Sequence, residues 1–331
     1  MSATIQSPAG APFSRIMGIG SYRPSRVVDN AEMCTIIDST DEWIVQRTGI
    51  SERRWANDDE TIHYMSVNAA RQAMDRAGVE GAQIDCVIVA TVTHMTQFPA
   101  IAPQIALELG AQGAPAYDIS AACAGFCVGL AQADALVRSG AATHVLVIGV
   151  ERLTDITNFE DRSTAFLFAD GAGAAVVGPS DEPKIGPVVW GADGAAADVL
   201  KMTRMWDDET NTERPTVYME GQAVFKWASQ TVARKTTEML DKAGLKVEDL
   251  DLFIPHQANN RIIDAMMRTL KMPESVTVAR DIKRQGNTSA ASIPLAIESL
   301  YEEGLATSGQ TALIVGFGGG LIFAGQVIVL P

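Results

Sequence analysis

The chain has 331 residues, 47% hydrophobic and 20% charged, and a formal net charge of −14. That length can bury a large core in about two domains or one large α/β unit, and the balance of residue types excludes a disordered chain. The acidity excludes nucleic acid as a partner, because phosphate contacts need a basic surface, and any acidic partner must find a local basic patch.

The first 24 residues, MSATIQSPAGAPFSRIMGIGSYRP, lack the apolar run of about 7–15 residues found in a signal peptide. No later run reaches the ~18 residues of a membrane span, so a soluble, cytoplasmic protein with no membrane partner is expected. Ser39 or Thr40 caps a helix starting DEWIVQRT, which sets Trp43 and Arg47 one turn apart on one face. Asp75 to Thr91, DRAGVEGAQIDCVIVAT, then aligns without a gap with Asp241 to Gln257, DKAGLKVEDLDLFIPHQ. A second echo links SGAATHVLVIGV, from Ser139, to SGQTALIVGFG, from Ser308. Each half therefore reads as a helix ending at glycine, a β-branched strand, a small-residue helix and another strand. Strands such as VIVATV and VLVIGV are apolar on both faces, as in a sheet covered by helices on both sides.

Between the two echoes of the first half lies DISAACAGFC, with Cys123 and Cys127 four residues apart. Cys123 has three readings: a core residue, half of a metal site, or a nucleophile. Four cysteines in this length make no disulfide framework, and no second pair stands at zinc-site spacing, so no metal is expected. The helix beginning ACAGFCVGLAQADALVRSG has its counterpart in GNTSAASIPLAIESLYEEG. Small residues near both starts let the two helices meet at a pseudo-twofold axis, with Cys123 and Asn287 at facing helix starts. A helix start lowers a cysteine pKa, which favours a nucleophile.

The segment PSDEPKIGP, residues 179–187, marks the boundary between residues 1–182 and 183–331. Past it, His256 follows the strand LDLFIP and so emerges at a strand C-terminus, where open α/β sheets place ligand crevices. Arg261, Arg268 and Lys271 in NNRIIDAMMRTLKM fall within about a quarter-turn of one helix face and form the expected basic patch. The run GFGGG, Gly316 to Gly320, leads into a strand and lacks a following lysine, so it is no phosphate loop. It reads either as a tight turn or as backbone offering an N–H to an oxyanion.

DEWIVQRTGI, the cysteine in DISAACAGF, DGAGAAV, PHQANNRII, GNTSAAS and GFGGG, in this order over nearly the whole chain, resemble the β-ketoacyl-acyl carrier protein synthase III enzymes. The resemblance implies a thiolase-like α/β fold, five-layered αβαβα, built from two pseudo-symmetric halves and usually homodimeric. It implies that an acyl group passes from acyl-CoA to Cys123 and condenses with malonyl-acyl carrier protein, releasing carbon dioxide, with no cofactor. His256 and Asn287 are then donors to the enolate oxygen, while the N–H of Cys123 and one near Gly319 form a second oxyanion pocket beside Phe317. Phe98 matches a position lining the acyl pocket. Trp43 stacks on adenine with Arg162, Arg47 meets phosphate, Gly221 touches pantetheine, and Arg261, Arg268 and Lys271 dock the carrier. A ketosynthase III-like enzyme of specialised metabolism and a cysteine thioesterase are the competing readings.

Overall fold

Two five-stranded sheets with the same strand order sandwich a pair of central helices. The computed structural model describes residue 5, residues 9–203 and residues 214–331. Its first half contains β1 (Phe13–Tyr22), α1 (Asp41–Thr48), α2 (Ile62–Ala77), β2 (Cys86–Ala90), β3 (Ala116–Ile119), α3 (Gly125–Ser139), β4 (Val145–Arg152) and β5 (Asp170–Ser180). The second contains β6 (Val189–Ala192), α4 (Gly221–Trp227), α5 (Ala233–Ala243), β7 (Leu252–Pro255), α6 (Asn260–Leu270), β8 (Thr277–Val278), α7 (Ser292–Glu302), β9 (Thr311–Gly318) and β10 (Ile322–Val329). The sheets run β1-β5-β4-β2-β3 and β6-β10-β9-β7-β8. In each, the third, fourth and fifth strands are parallel and the first two antiparallel.

The residues that repeat in sequence are those that fix this geometry. Gly78 and Gly244 end α2 and α5 in the left-handed region, with φ of 66° and 71°, which glycine adopts without Cβ strain. Asp85 and Asp251 then pin the start of the neighbouring strand, their carboxylates accepting N–H bonds from Thr143 and Thr311. α3 and α7 share one buried cluster with strands of both sheets. α2 covers the outer face of the first sheet, and α5 and α6 that of the second. This gives five layers, with a middle layer common to both halves. Among the described residues no helix is long and apolar enough to cross a membrane.

Candidate active site

The chain leaves β3, turns through Ala122 at φ 44°, and enters a single 3₁₀ turn, Ala122–Ala124, before α3. The same turn recurs in the second half, where Ser289 has φ 48° and opens the turn Ser289–Ala291 before α7. Two left-handed non-glycine residues at matching points are costly unless the surrounding structure holds them. Glycine makes the room: a Cβ on Gly316 would meet the Cys123 carbonyl at 2.7 Å, and one on Gly149 would meet the Ala290 carbonyl at 2.3 Å. The counterpart of Cys123 is therefore Ala290, not Asn287. Asn287 precedes the turn in extended backbone, bridged to Phe168.

Cys123 lines a cavity of about 540 Å³ and keeps some exposure to it. Burial pushes the thiol up to about 12, while Ser289 lowers it and Glu151 adds like-charge repulsion. Enclosure by both halves thus opposes the activation expected from the helix start. Cys127, fully buried, packs in the core.

His256 and Asn287 share this cavity with Cys123. Burial holds His256 neutral, its pKa lowered to about 3. Its Nδ1 lies 2.7 Å from the Ser292 hydroxyl, which itself accepts the Gln257 N–H. Either partner can be the donor in the Nδ1–Ser292 bond, and Nε2 is the ring nitrogen that no bond to the described residues occupies. Asn287 is oriented similarly: its Oδ1 accepts the Ser289 N–H at 2.9 Å, so its amide nitrogen is left as a donor. Phe317 stands edge-on to the imidazole, with ring centroids 5.3 Å apart.

Trp43, Arg47, Gly221 and Arg261 line the same cavity. Thr40 caps α1, as expected, by accepting the Trp43 N–H. The guanidinium groups of Arg47 and Arg162 each lie 5.1 Å from the Trp43 ring centroid. α1 is held to the start of α6 by Asn259, whose side-chain amide donates to the Arg47 carbonyl. The CoA-like face and the basic helix thus meet at one mouth. Arg261 and Arg268 are exposed on α6, and among the described residues neither forms an ion pair. Lys271 leaves that face, because it caps the helix with φ 51°.

One further expectation is displaced. Phe98 is 87% exposed and does not line the cavity within this chain. A Cβ added at Gly318 would meet the Cys123 nitrogen and sulfur at 3.0 Å, and one added at Gly319 would meet the Leu200 carbonyl at 2.8 Å, so the glycine run lies directly beside the nucleophile. Sequence reasoning also missed Glu151, fully buried at the end of β4. Its carboxyl accepts bonds from Val92 N–H and from the hydroxyls of Thr91, Thr93 and Ser289, yet burial raises its pKa to about 7. Its signal was an acid placed directly after VLVIGV, a strand apolar on both faces. Among the described residues no group of three or more His, Cys, Asp or Glu is arranged to hold a metal.

Residues 117–205 match the family model 3-oxoacyl-(acyl-carrier-protein) synthase III, and residues 240–330 match its C-terminal model. The chain is 56% identical to beta-ketoacyl-(acyl-carrier-protein) synthase III of Streptomyces glaucescens, over 99% of both chains. It belongs to the 3-oxoacyl-(acyl-carrier-protein) synthase III family. Two solved structures agree. The priming β-ketosynthase of the R1128 polyketide biosynthetic pathway has a TM-score of 0.97 at 50% identity over 99% of both chains. The synthase III of Aquifex aeolicus has a TM-score of 0.89 at 40% identity, covering 96% of this chain and 99% of its own. As a synthase III, the protein is an initiating condensing acyltransferase with the thiolase fold.

Proposed function

We propose that Cys123 takes an acyl group from acyl-CoA and that the acyl-enzyme condenses with malonyl-acyl carrier protein, giving a 3-ketoacyl product, CoA and carbon dioxide. The observation that carries this is the cavity that joins the Cys123 thiol to two oriented donors, His256 and Asn287, and to the Trp43/Arg47 face. A thiolate is suited to attack on a thioester, since sulfur is nucleophilic at modest basicity. The tetrahedral intermediate develops charge at the N–H of Cys123, with the Gly318 backbone alongside. Loss of carbon dioxide leaves enolate charge on the malonyl thioester oxygen, met by His256 Nε2–H and the Asn287 amide. Phe317 keeps this side dry.

In this reading adenine stacks on Trp43 with Arg162, Arg47 meets a phosphate of CoA, and Gly221 admits the pantetheine arm, since its missing side chain would meet only Met219 Cε at 3.9 Å. Arg261 and Arg268 receive the acidic carrier, with Lys271 at the edge of the contact. Residues 1–182 and 183–331 are the two thiolase-like halves, the enzyme works as a cytoplasmic homodimer, and the chemistry needs no cofactor. A second reading concerns the pathway: the 50% identity to a polyketide-priming ketosynthase favours a specialised primer as much as a fatty-acid one. Intact-mass analysis after incubation with acetyl-, branched and longer acyl-CoA tests both. An acyl adduct lost in Cys123→Ala supports the nucleophile, and its chain length assigns the primer. Release of free acid without malonyl-acyl carrier protein would point to a thioesterase instead.

A further inference from the structure

Among the described residues Arg53 is the largest fully buried side chain, yet it does not line the active-site cavity. Taking a guanidinium out of water is costly even when its donors are met, and a well-packed apolar side chain of similar volume escapes that cost. Here the donors are not all met, since the buried Nε has no partner among the described residues. The remaining bonds all end on neutral oxygens. Nη1 donates to the Val28 carbonyl at 3.1 Å, and Nη2 donates to Asn30 Oδ1 at 2.8 Å and to the Phe166 carbonyl at 3.2 Å. What arginine brings to this position is the fork of donors, and its targets show what the fork holds.

Two of the three targets lead to the Trp43/Arg47 face. Asn30 Oδ1 accepts from Arg53, which has donors only, so the other end of the amide is the Nδ2 donor. Nδ2 donates to Asp41 Oδ1 at 2.7 Å and to the Ile50 carbonyl at 2.9 Å. Asp41 is the first residue of α1 and Ile50 follows its Gly49 cap, so one amide grips both ends of the helix that carries Trp43 and Arg47. α1 has only eight residues, too few for a helix to be stable by itself. Phe166, the other target, stands edge-on to Trp43 with ring centroids 5.3 Å apart, and both line the cavity. Trp43 and the ring behind it are therefore tied to one guanidinium. The segment that follows Phe166 has anchors of its own: Trp55 Nε1 donates to the Phe168 carbonyl at 3.3 Å, and the Asn287 N–H to the Leu167 carbonyl at 2.9 Å.

We propose that Arg53 is a positioning residue for the nucleotide end of CoA: through Asn30 it sets α1, and through the Phe166 carbonyl it sets the ring behind Trp43. The inference rests on the reading of Trp43, Arg47 and Arg162 as the face that takes the nucleotide. A stacking face held rigid before its ligand arrives loses less freedom on binding, and so binds more tightly. Arg53 touches neither substrate nor thiol. Its effect falls on the part of CoA that stacks, while the pantetheine arm and the acyl group meet Gly221 and Cys123.

The test compares two donors of one acyl group, acyl-CoA and the corresponding acyl-pantetheine, which lacks the nucleotide. The acetyl or branched acyl group that labels wild-type Cys123 is used. Initial acylation rates over a range of donor concentrations are followed by intact mass in wild type, Arg53→Met and Asn30→Ala. Wild type should favour acyl-CoA by roughly 5- to 150-fold, the usual worth of one base stacked on an aromatic ring. Each variant should raise the half-saturating concentration of acyl-CoA about 10-fold, a large part of that stacking gain, and shift that of acyl-pantetheine by less than about twofold, so the preference contracts. A general packing defect would move both donors together. Arg53→Met keeps the volume and removes the donors, whereas Asn30→Ala leaves Arg53 in place and cuts only its link to α1. A preference within about twofold of wild type in either folded variant, or equal losses with both donors, overturns the assignment. Failure of both variants to fold, judged by near-UV circular dichroism, places Arg53 in the fold alone and overturns it too. A wild type that does not prefer acyl-CoA overturns the reading of the nucleotide face beneath it as well.

Discussion

The two halves place the same left-handed turn at the same point and put different chemistry on it. In the first, the residue after the turn's strained position is Cys123; in the second it is Ala290, while the strained residue itself, Ser289, carries a hydroxyl that bonds Glu151. Gly316 and Gly149, each on the opposite sheet, make way for the other half's turn. Duplication therefore supplied the cradle twice, and the proposed roles divided it: the first half holds the nucleophile and the CoA face, the second the donors and the carrier helix. The Ser289–Glu151 bond crosses the division, as does the bond from Asn259 to the Arg47 carbonyl. Variants of the nucleophile and the CoA face should then impair acylation, and variants of the donors condensation.

The sharpest break is Cys123→Ala, which should abolish acyl-enzyme formation altogether. Cys127 should not substitute, since it is fully buried within α3. A wild-type adduct mass retained in Cys123→Ala would move the nucleophile elsewhere. Next in size, His256→Ala and Asn287→Ala should each slow condensation by about 10²–10³, the usual loss for one oxyanion donor, and still permit acylation. The double variant should lose less than the product, because both donors serve one oxygen. Failure of His256→Ala to become acylated would erase the division between halves.

Glu151→Gln tests the Ser289–Glu151 crossing through stability. Burial raises the folded-state pKa of Glu151 from 4.5 to about 7, so the folded protein binds the proton more tightly than the unfolded chain. Wild-type stability should fall as pH rises from about 4.5 to 7 and stay low above it. Glutamine has no proton to lose. Glu151→Gln should gain on wild type across that window, by an order of roughly 3 kcal/mol at pH 8, less whatever its amide loses in hydrogen bonding. Denaturant melts at pH 5 and pH 8 measure this, and an equal difference at both pH values would mean that Glu151 does not titrate there. Trp43→Ala is smaller still: it should raise the acyl-CoA requirement by about 1–3 kcal/mol, the usual worth of base–aromatic stacking. Unchanged acyl-CoA dependence would leave α1 purely structural.

What could be read in advance follows from which interactions are local. The duplicated order was legible because Gly78/Gly244 and Asp85/Asp251 do their work within a few residues of themselves, ending helices and pinning strands. Cys123, His256 and Asn287 were legible as candidates because residue type and strand-end position narrow the choice. Glu151 was not, since in VLVIGVER it resembles an ordinary surface acid, and its hydrogen-bonded pocket depends on Thr91, Thr93 and Ser289 arriving from two other segments. The thiol's upward shift was hidden for the same reason: a helix start is visible in sequence, whereas enclosure by both halves is not. Lys271 looked like a helical residue by spacing, but the chain turns left-handed there before Pro273.

The smallest expected effect separates the two ends of α6. Arg261 lines the cavity mouth beside the Trp43/Arg47 face, with its guanidinium 5.8 Å from the Phe225 ring centroid, whereas Arg268 is exposed two turns away and is absent from the cavity wall. If CoA and the carrier arm enter by this mouth, as proposed, Arg261→Glu should weaken both half-reactions. Arg268→Glu should weaken only use of malonyl-acyl carrier protein, by a few-fold. Exposed charge pairs are typically worth about 0.2–1 kcal/mol and act more on encounter than on affinity. The loss in Arg268→Glu should therefore shrink as salt is raised from low ionic strength to about 0.5 M, where screening shortens the reach of the charge. Steady-state rates against carrier concentration at both salts, beside the acylation rate from acyl-CoA, measure this. An Arg268→Glu protein equally impaired in both half-reactions, or impaired independently of salt, would show that the basic face does not steer the carrier.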